Sequence, residues 1–85
     1  MSPEKAFGQV LRETRQSLKI SQEKLGLDSG YHRTYISLLE RGEKSPTLTT
    51  IYNLSKTLDV KPSAMIERVE ELVDLSSFDR QKEKP

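Results

Sequence analysis

A chain of 85 residues, 33% apolar and 32% charged, has room for one small domain with a marginal core, and a net charge of +1 gives it little bulk attraction for nucleic acid. The absence of cysteine removes disulfides, thiolate nucleophiles and cysteine metal sites, and the single histidine, His32, cannot hold a zinc ion alone. No run reaches the roughly 18 apolar residues of a membrane span and no secretory leader opens the chain, so a cytoplasmic protein is expected.

The periodicity is helical from end to end, and nothing reads as a strand. Phe7, Val10, Leu11, Thr14 and Leu18 mark one face of a first helix, with Pro3 in its first turn and Ser2 as its cap. Lys19-Ile20 breaks that pattern. Ser21 caps a second helix whose main inward residue is Leu25, and Asp28-Ser29-Gly30 stops it, the glycine being free to take a positive φ. A third helix is expected from Arg33 to Glu40. Tyr35, Ile36 and Leu39 lie on its apolar side, Arg33, Thr34 and Ser37 on the other, and Arg41-Gly42 closes it. After the loop Glu43–Pro46, Thr47 caps a fourth helix. Its inner stripe is read as Leu48, Ile51, Tyr52, Ser55 and Leu58, with Leu54 beside it. A fifth helix begins at Pro62 or Ser63 and carries the stripe Met65, Ile66, Val69, Leu72 and Val73. The chain therefore divides into a domain over 1–75, whose last helix is expected over about 62–75, and a polar, flexible tail over 76–85.

Charge divides unevenly along this order. Residues 1–60 hold nine Lys/Arg against seven Asp/Glu, and residues 61–85 hold five against six. A nucleic-acid face would have to come from local clustering.

The centre of the sequence is the pair of short helices around Gly30. Counting Gln22 as the first place, Leu25 stands fourth, Gly26 fifth, Gly30 ninth, Tyr31 tenth, Ile36 fifteenth and Leu39 eighteenth. Leu25, Ile36 and Leu39 are apolar pins, Gly26 is small where the helices cross, Gly30 makes the turn, and Tyr31 buries its ring as the chain reverses. This arrangement, from Ser21-Gln22-Glu23-Lys24-Leu25 through Arg33-Thr34-Tyr35-Ile36-Ser37-Leu38-Leu39-Glu40-Arg41-Gly42, resembles the helix-turn-helix of the phage-repressor-like (XRE, Cro/C1-type) regulators. Pro46-Thr47-Leu48 and Leu54–Val60 extend the likeness, which covers about residues 6–66. Three positions depart from the family's habit: Gly26 for alanine, Tyr31 for valine or isoleucine, and His32 for serine or threonine.

The resemblance implies an all-α, compact five-helix bundle in which the second helix of the motif enters the DNA major groove. Base contacts would then come from His32, Arg33, Thr34, Ser37 and Leu38. Arg33 can make two parallel bonds to guanine O6 and N7, while Thr34 and Leu38 offer methyl groups to thymine. Gln22, Tyr35, Arg41 and Lys44 are expected on the sugar–phosphate backbone. By the same likeness Arg15 and Glu40 form a structural ion pair. Four helices suffice to close the family's core, so the stripe Met65, Ile66, Val69, Leu72 and Val73 is expected to form a dimer interface.

These readings give a homodimeric, sequence-specific transcriptional regulator on a near-palindromic operator, and within the family the small size and the Arg-Thr-Tyr-Ile-Ser run look like restriction–modification controller proteins. Expected partners are double-stranded DNA and a second copy, with RNA polymerase or a toxin as further candidates and no membrane. Two alternatives stand beside this reading. One is a DNA-binding antitoxin whose fifth helix, or whose tail around Leu75, Phe78 and Arg80, holds a toxin. The other is a helical protein-interaction module without DNA binding. No phosphate loop, acid pair or nucleophile–base pair is present to support an enzyme, and no cofactor or metal is expected.

Overall fold

A computed structural model describes residues 1–73. Five helices follow in order: α1 Pro3–Ser17, α2 Gln22–Ser29, α3 Arg33–Glu40, α4 Leu48–Thr57 and α5 Pro62–Leu72, and no strand occurs among the described residues. The expected tail 76–85, the last two positions of the expected fifth helix, and Leu75, Phe78 and Arg80 lie outside the described residues.

Each start is set locally. Ser2, Ser21 and Thr47 accept the backbone N–H of Lys5, Lys24 and Thr50 at 3.1, 2.9 and 3.0 Å. These bonds satisfy amides that would otherwise have no partner in the first turn. His32 does the same for α3, its Nδ1 accepting from Thr34 N–H at 3.0 Å. α5 has no side-chain cap and starts on Pro62, which has no N–H to satisfy.

The ends share one device. Lys19 (φ 59°), Gly30 (φ 84°), Gly42 (φ 71°) and Asp59 (φ 56°) take left-handed backbone just after α1, α2, α3 and α4. The next amide then turns back onto the last turn: Ile20 to Arg15 O at 3.4 Å, Tyr31 to Gly26 O at 2.9 Å, Glu43 to Leu38 O at 2.9 Å and Val60 to Ser55 O at 2.9 Å. In this termination the residue after the left-handed one packs on the helix it closes. Ile20, Tyr31 and Val60 do so, each partly buried against the core. The break at Lys19-Ile20 is thus the α1 terminator, made without glycine.

Every helix contributes to one core: Phe7, Val10 and Leu11 from α1, Leu25 from α2, Ile36 and Leu39 from α3, Leu54 beside Leu58 at the end of α4, and Met65 from α5. α1 packs on α3 and α5, and α2 packs on α3 and α4. Two expectations fail in this core. The inward face of α4 is Thr50, Leu54, Ser55 and Leu58, whereas Leu48 and Tyr52 are 72% and 58% exposed. The reason is polar: Thr50 is anchored under Tyr31 and Tyr35 by hydroxyl bonds, and that rotates Leu48 and Tyr52 to the outside. Leu18 is also exposed: it is the C-cap beyond the last residue of α1, and the chain turns at Lys19 directly after it.

The fifth helix is corrected in a similar way. Met65 is 3% exposed and belongs to its own subunit's core, and Val73, in extended backbone after α5, is also buried. Neither has surface to give to a partner. Val69 and Leu72 are partly buried, and Ile66, 45% exposed, is the outward member of the stripe.

The α1–α3 crossing depends on Gly8. A Cβ there would stand 2.5 Å from the Glu40 carbonyl oxygen, which is backbone and cannot swing aside. Gly8→Ala is therefore expected to push α1 off α3 and to destabilise the fold by about 1–3 kcal/mol, despite its better helix propensity. Urea denaturation followed by circular dichroism reads this directly, and a raised midpoint would contradict the crossing.

Candidate nucleic-acid interface

On α3, Ile36 and Leu39 are fully buried while Arg33 and Thr34 are exposed and Ser37 and Leu38 half-buried. The apolar pins thus hold a polar edge outward from a helix with little freedom to roll. His32 sits at the head of that edge, its Nδ1 committed to the cap and its Nε2 without a hydrogen bond among the described residues. Arg33 makes no ion pair among the described residues. Together with Glu23, Leu27, Tyr31, His32 and Thr34 it lines an open depression between α2 and the start of α3.

The residues expected on the backbone of a duplex are distributed differently. Lys44 is exposed in the α3–α4 loop and makes no ion pair among the described residues. Arg41 lies beside it but is engaged locally, its Nη1 3.0 Å from Glu43 Oε2. The Gln22 amide donates to Glu40 Oε1 at 3.0 Å, and its second N–H has no acceptor among the described residues. The Tyr35 hydroxyl lies 3.2 Å from Thr50 Oγ1, and its ring is 5.2 Å from that of Tyr31, tilted by 45°.

Behind this edge lies the Glu40 carboxylate, whose side chain is 0% exposed. Arg15 donates to it through Nε at 2.6 Å and Nη2 at 3.0 Å, while its Nη1 ties off the Ile20 carbonyl at 2.8 Å. Gln22 adds a third bond and Arg12 Nε a fourth at 3.3 Å. Burial alone would push the Glu40 carboxyl up, but the hydrogen bonds from Arg15, Gln22 and Arg12 outweigh it and hold the group below the ordinary carboxylate value. The carboxylate therefore links the C-terminal end of α3 to α1 and to the first residue of α2. All three helices that frame the outward edge meet at one charge.

Several contributors were not singled out from sequence. Arg12 as a further partner of Glu40, Glu23 and Leu27 beside Arg33, and the Thr47–Thr50–Asn53 hydroxyl and amide group under the tyrosines depend on tertiary proximity. The sequence signal that points to part of this group is the Thr47-to-Thr50 spacing, which places a cap and a second hydroxyl on one side of a helix.

A helix-turn-helix family model matches residues 11–65. The chain is 44% identical over 62 residues to Control protein C.BamHI of Bacillus amyloliquefaciens, covering 72% of this chain and 76% of that one. Among solved structures it is similar to the restriction–modification controller protein C.AhdI from Aeromonas hydrophila, with 41% identity, a TM-score of 0.68 and coverage of 69% of this chain and 86% of that one. It is also similar to the controller protein C.Esp1396I, solved as a tetramer in complex with its natural 35 base-pair operator, with 25% identity, a TM-score of 0.76 and coverage of 84% and 93%.

Proposed function

Because the chain belongs to the helix-turn-helix family, we propose that it is a sequence-specific DNA-binding regulator of transcription that acts as a homodimer in the cytoplasm, on a near-palindromic operator of a restriction–modification operon. The observation that carries this reading is the outward polar edge of α3, set on buried Ile36 and Leu39 and headed by Arg33, which makes no ion pair among the described residues. An arginine there has the reach and the fork geometry to bond guanine O6 and N7 in the major groove. Thr34 and Ser37 lie along the same side for base or phosphate contacts, Leu38 beside them for a thymine methyl, and His32 Nε2 for a phosphate. Gln22, Tyr35, Lys44 and Arg41 flank the edge and fix register on the backbone, Arg41 by exchanging Glu43 for phosphate.

The names of the relatives and the operator-bound tetramer of C.Esp1396I support the operon assignment. Two-fold pairing would set two α3 helices roughly 34 Å apart, one turn of DNA. The exposed apolar side chains available for that pairing are Leu48 and Tyr52 on α4 and Ile66 on α5, with Val69 and Leu72 of α5 partly buried. Ile66 and Val69 also line a groove with Pro3, Phe7, Pro46 and Ile51, edged by Glu4 and Ser45.

A salt titration on a duplex selected from a randomised library tests the reading. Each phosphate neutralised should add about 0.9 to the slope of log affinity against log salt, so steep loss of binding with salt is expected. Weak, flat binding that is indifferent to sequence would instead favour a protein-interaction module.

A further inference from the structure

Thr50 is a threonine inside a helix and only 4% exposed, yet its hydroxyl has three oxygen neighbours. Tyr31 Oη lies at 3.4 Å, Tyr35 Oη at 3.2 Å and Thr47 Oγ1 at 2.9 Å. A hydroxyl has one proton to give and two lone pairs to receive with, so the directions of these bonds are constrained. Asn53 Nδ2 donates to Tyr31 Oη at 3.0 Å, and Tyr31 sends its own proton on to Thr50. One lone pair of Thr50 is thereby filled.

Two arrangements remain. In one, Tyr35 donates to Thr50 and Thr50 donates to Thr47, so the Tyr35 proton is spent inside the protein. In the other, Thr47 donates to Thr50 and Thr50 donates to Tyr35 Oη, so the Tyr35 proton is left over and directed outward. A phosphate oxygen only accepts, and it can bond Tyr35 only in the second arrangement. The Tyr31 ring at 5.2 Å limits how far the Tyr35 ring can swing to escape this choice.

We propose that Thr50 is a positioning residue for DNA binding: its buried hydroxyl donates to Tyr35 Oη and so aims the phenol proton at a phosphate. The inference rests on the placement of Tyr35 at the DNA backbone given above. Hydroxyls in line polarise one another, so a Tyr35 that receives from Thr50 is also a stronger donor than one facing only water. Thr47 and Asn53 set the direction at the far end of the chain.

The test is a double-variant cycle read against the duplex pool that the wild-type protein selects from a randomised library, over a range of salt, with a melting temperature for each variant. Tyr35→Phe is expected to weaken binding roughly tenfold, as for the loss of one bond to a charged acceptor, and Thr50→Val to weaken it by a smaller factor, since the phenol stays but is no longer aimed or polarised. The double variant should be no weaker than Tyr35→Phe alone, because Thr50 acts only through the Tyr35 hydroxyl. Thr50→Ser, which keeps the hydroxyl, should bind as wild type. The salt slope should not change in any of them, since a phenol neutralises no phosphate, whereas losing a lysine or arginine contact would lower it by about 0.9. Thr50→Ala serves the same cycle if the valine variant does not fold.

The relay is overturned if Thr50→Val weakens binding as much in the Tyr35→Phe background as alone, or if Thr50→Val binds as wild type. Unchanged binding by Tyr35→Phe overturns it differently, by removing Tyr35 from the backbone while the steep salt response of the wild type stands. A flat salt response of the wild type itself would mean that the DNA reading has failed.

Discussion

Glu40→Ala is expected to lower the unfolding free energy by about 3–5 kcal/mol, because it leaves an arginine charge buried without its partner. The carboxylate accepts four bonds from three side chains, and Arg15 Nε, at 2.6 Å, is the shortest donor. Without it, Arg15 keeps only the Ile20 carbonyl in a site where its side chain is 12% exposed. Small domains hold only about 5–15 kcal/mol in total, so this change removes a large share of the stability. Arg12→Ala is the control. Arg12 reaches the same carboxylate from a half-exposed position, and its loss should cost about 1 kcal/mol or less. Urea denaturation separates the two, and equal shifts would show that the buried charge is not what holds α1, α2 and α3 together.

The same carboxylate gives an acid limb with a defined sign. Its folded value lies below the ordinary one, so the stabilisation is fully present above the usual carboxylate range and is lost as pH falls through the depressed folded value. The urea midpoint should hold from neutral pH down to about pH 4–5 and fall below that. Glu40→Gln should start from a lower midpoint and lose this part of the decline. An acid limb of the same depth in Glu40→Gln would assign it to other carboxylates.

Arg33→Ala is expected to leave the fold and the dimer intact and to erase preference at one guanine in each half-site. Arg33 is exposed and pairs with no carboxylate among the described residues, so its removal touches no packing and no buried charge. The effect should fall on specificity, at about 1–3 kcal/mol for a two-bond contact to guanine. Lys44→Ala should behave oppositely, weakening binding to all duplexes and lowering the salt slope by about 0.9. Selection from a randomised library with each variant distinguishes these outcomes. An unchanged consensus with Arg33→Ala would remove Arg33 from base reading.

Much of this architecture is legible in the chain because helix limits are set within one turn. Serine or threonine at positions 2, 21 and 47 and glycine at 30 and 42 act on amides and carbonyls no more than five residues away. The inward pins Leu25, Ile36 and Leu39 follow from spacing alone, and their places relative to Gly30 carry the family likeness. Where α1 and α4 close on Lys19 and Asp59 the signal was weaker, since neither residue is the usual occupant of left-handed backbone.

Rotation of a helix about its own axis is a different matter. α4 offers two plausible inner faces, one through Leu48 and Tyr52 and one through Thr50 and Leu54, and apolar periodicity favours the first. The second won because Tyr31 and Tyr35, brought in from fifteen to nineteen residues away, supply partners for the Thr50 hydroxyl. Met65 was drawn into its own core for a related reason: α5 lies along α1 and α4, and an apolar stripe cannot specify how much of itself a neighbour will cover. The chain by itself thus determined the number, limits and order of the helices and the polar edge headed by Arg33, since those depend on contacts within a turn. Which faces meet, what joins the Arg15–Glu40 pair, and what lies beneath Tyr35 were decided only in three dimensions, because each requires groups distant in sequence to arrive at one place.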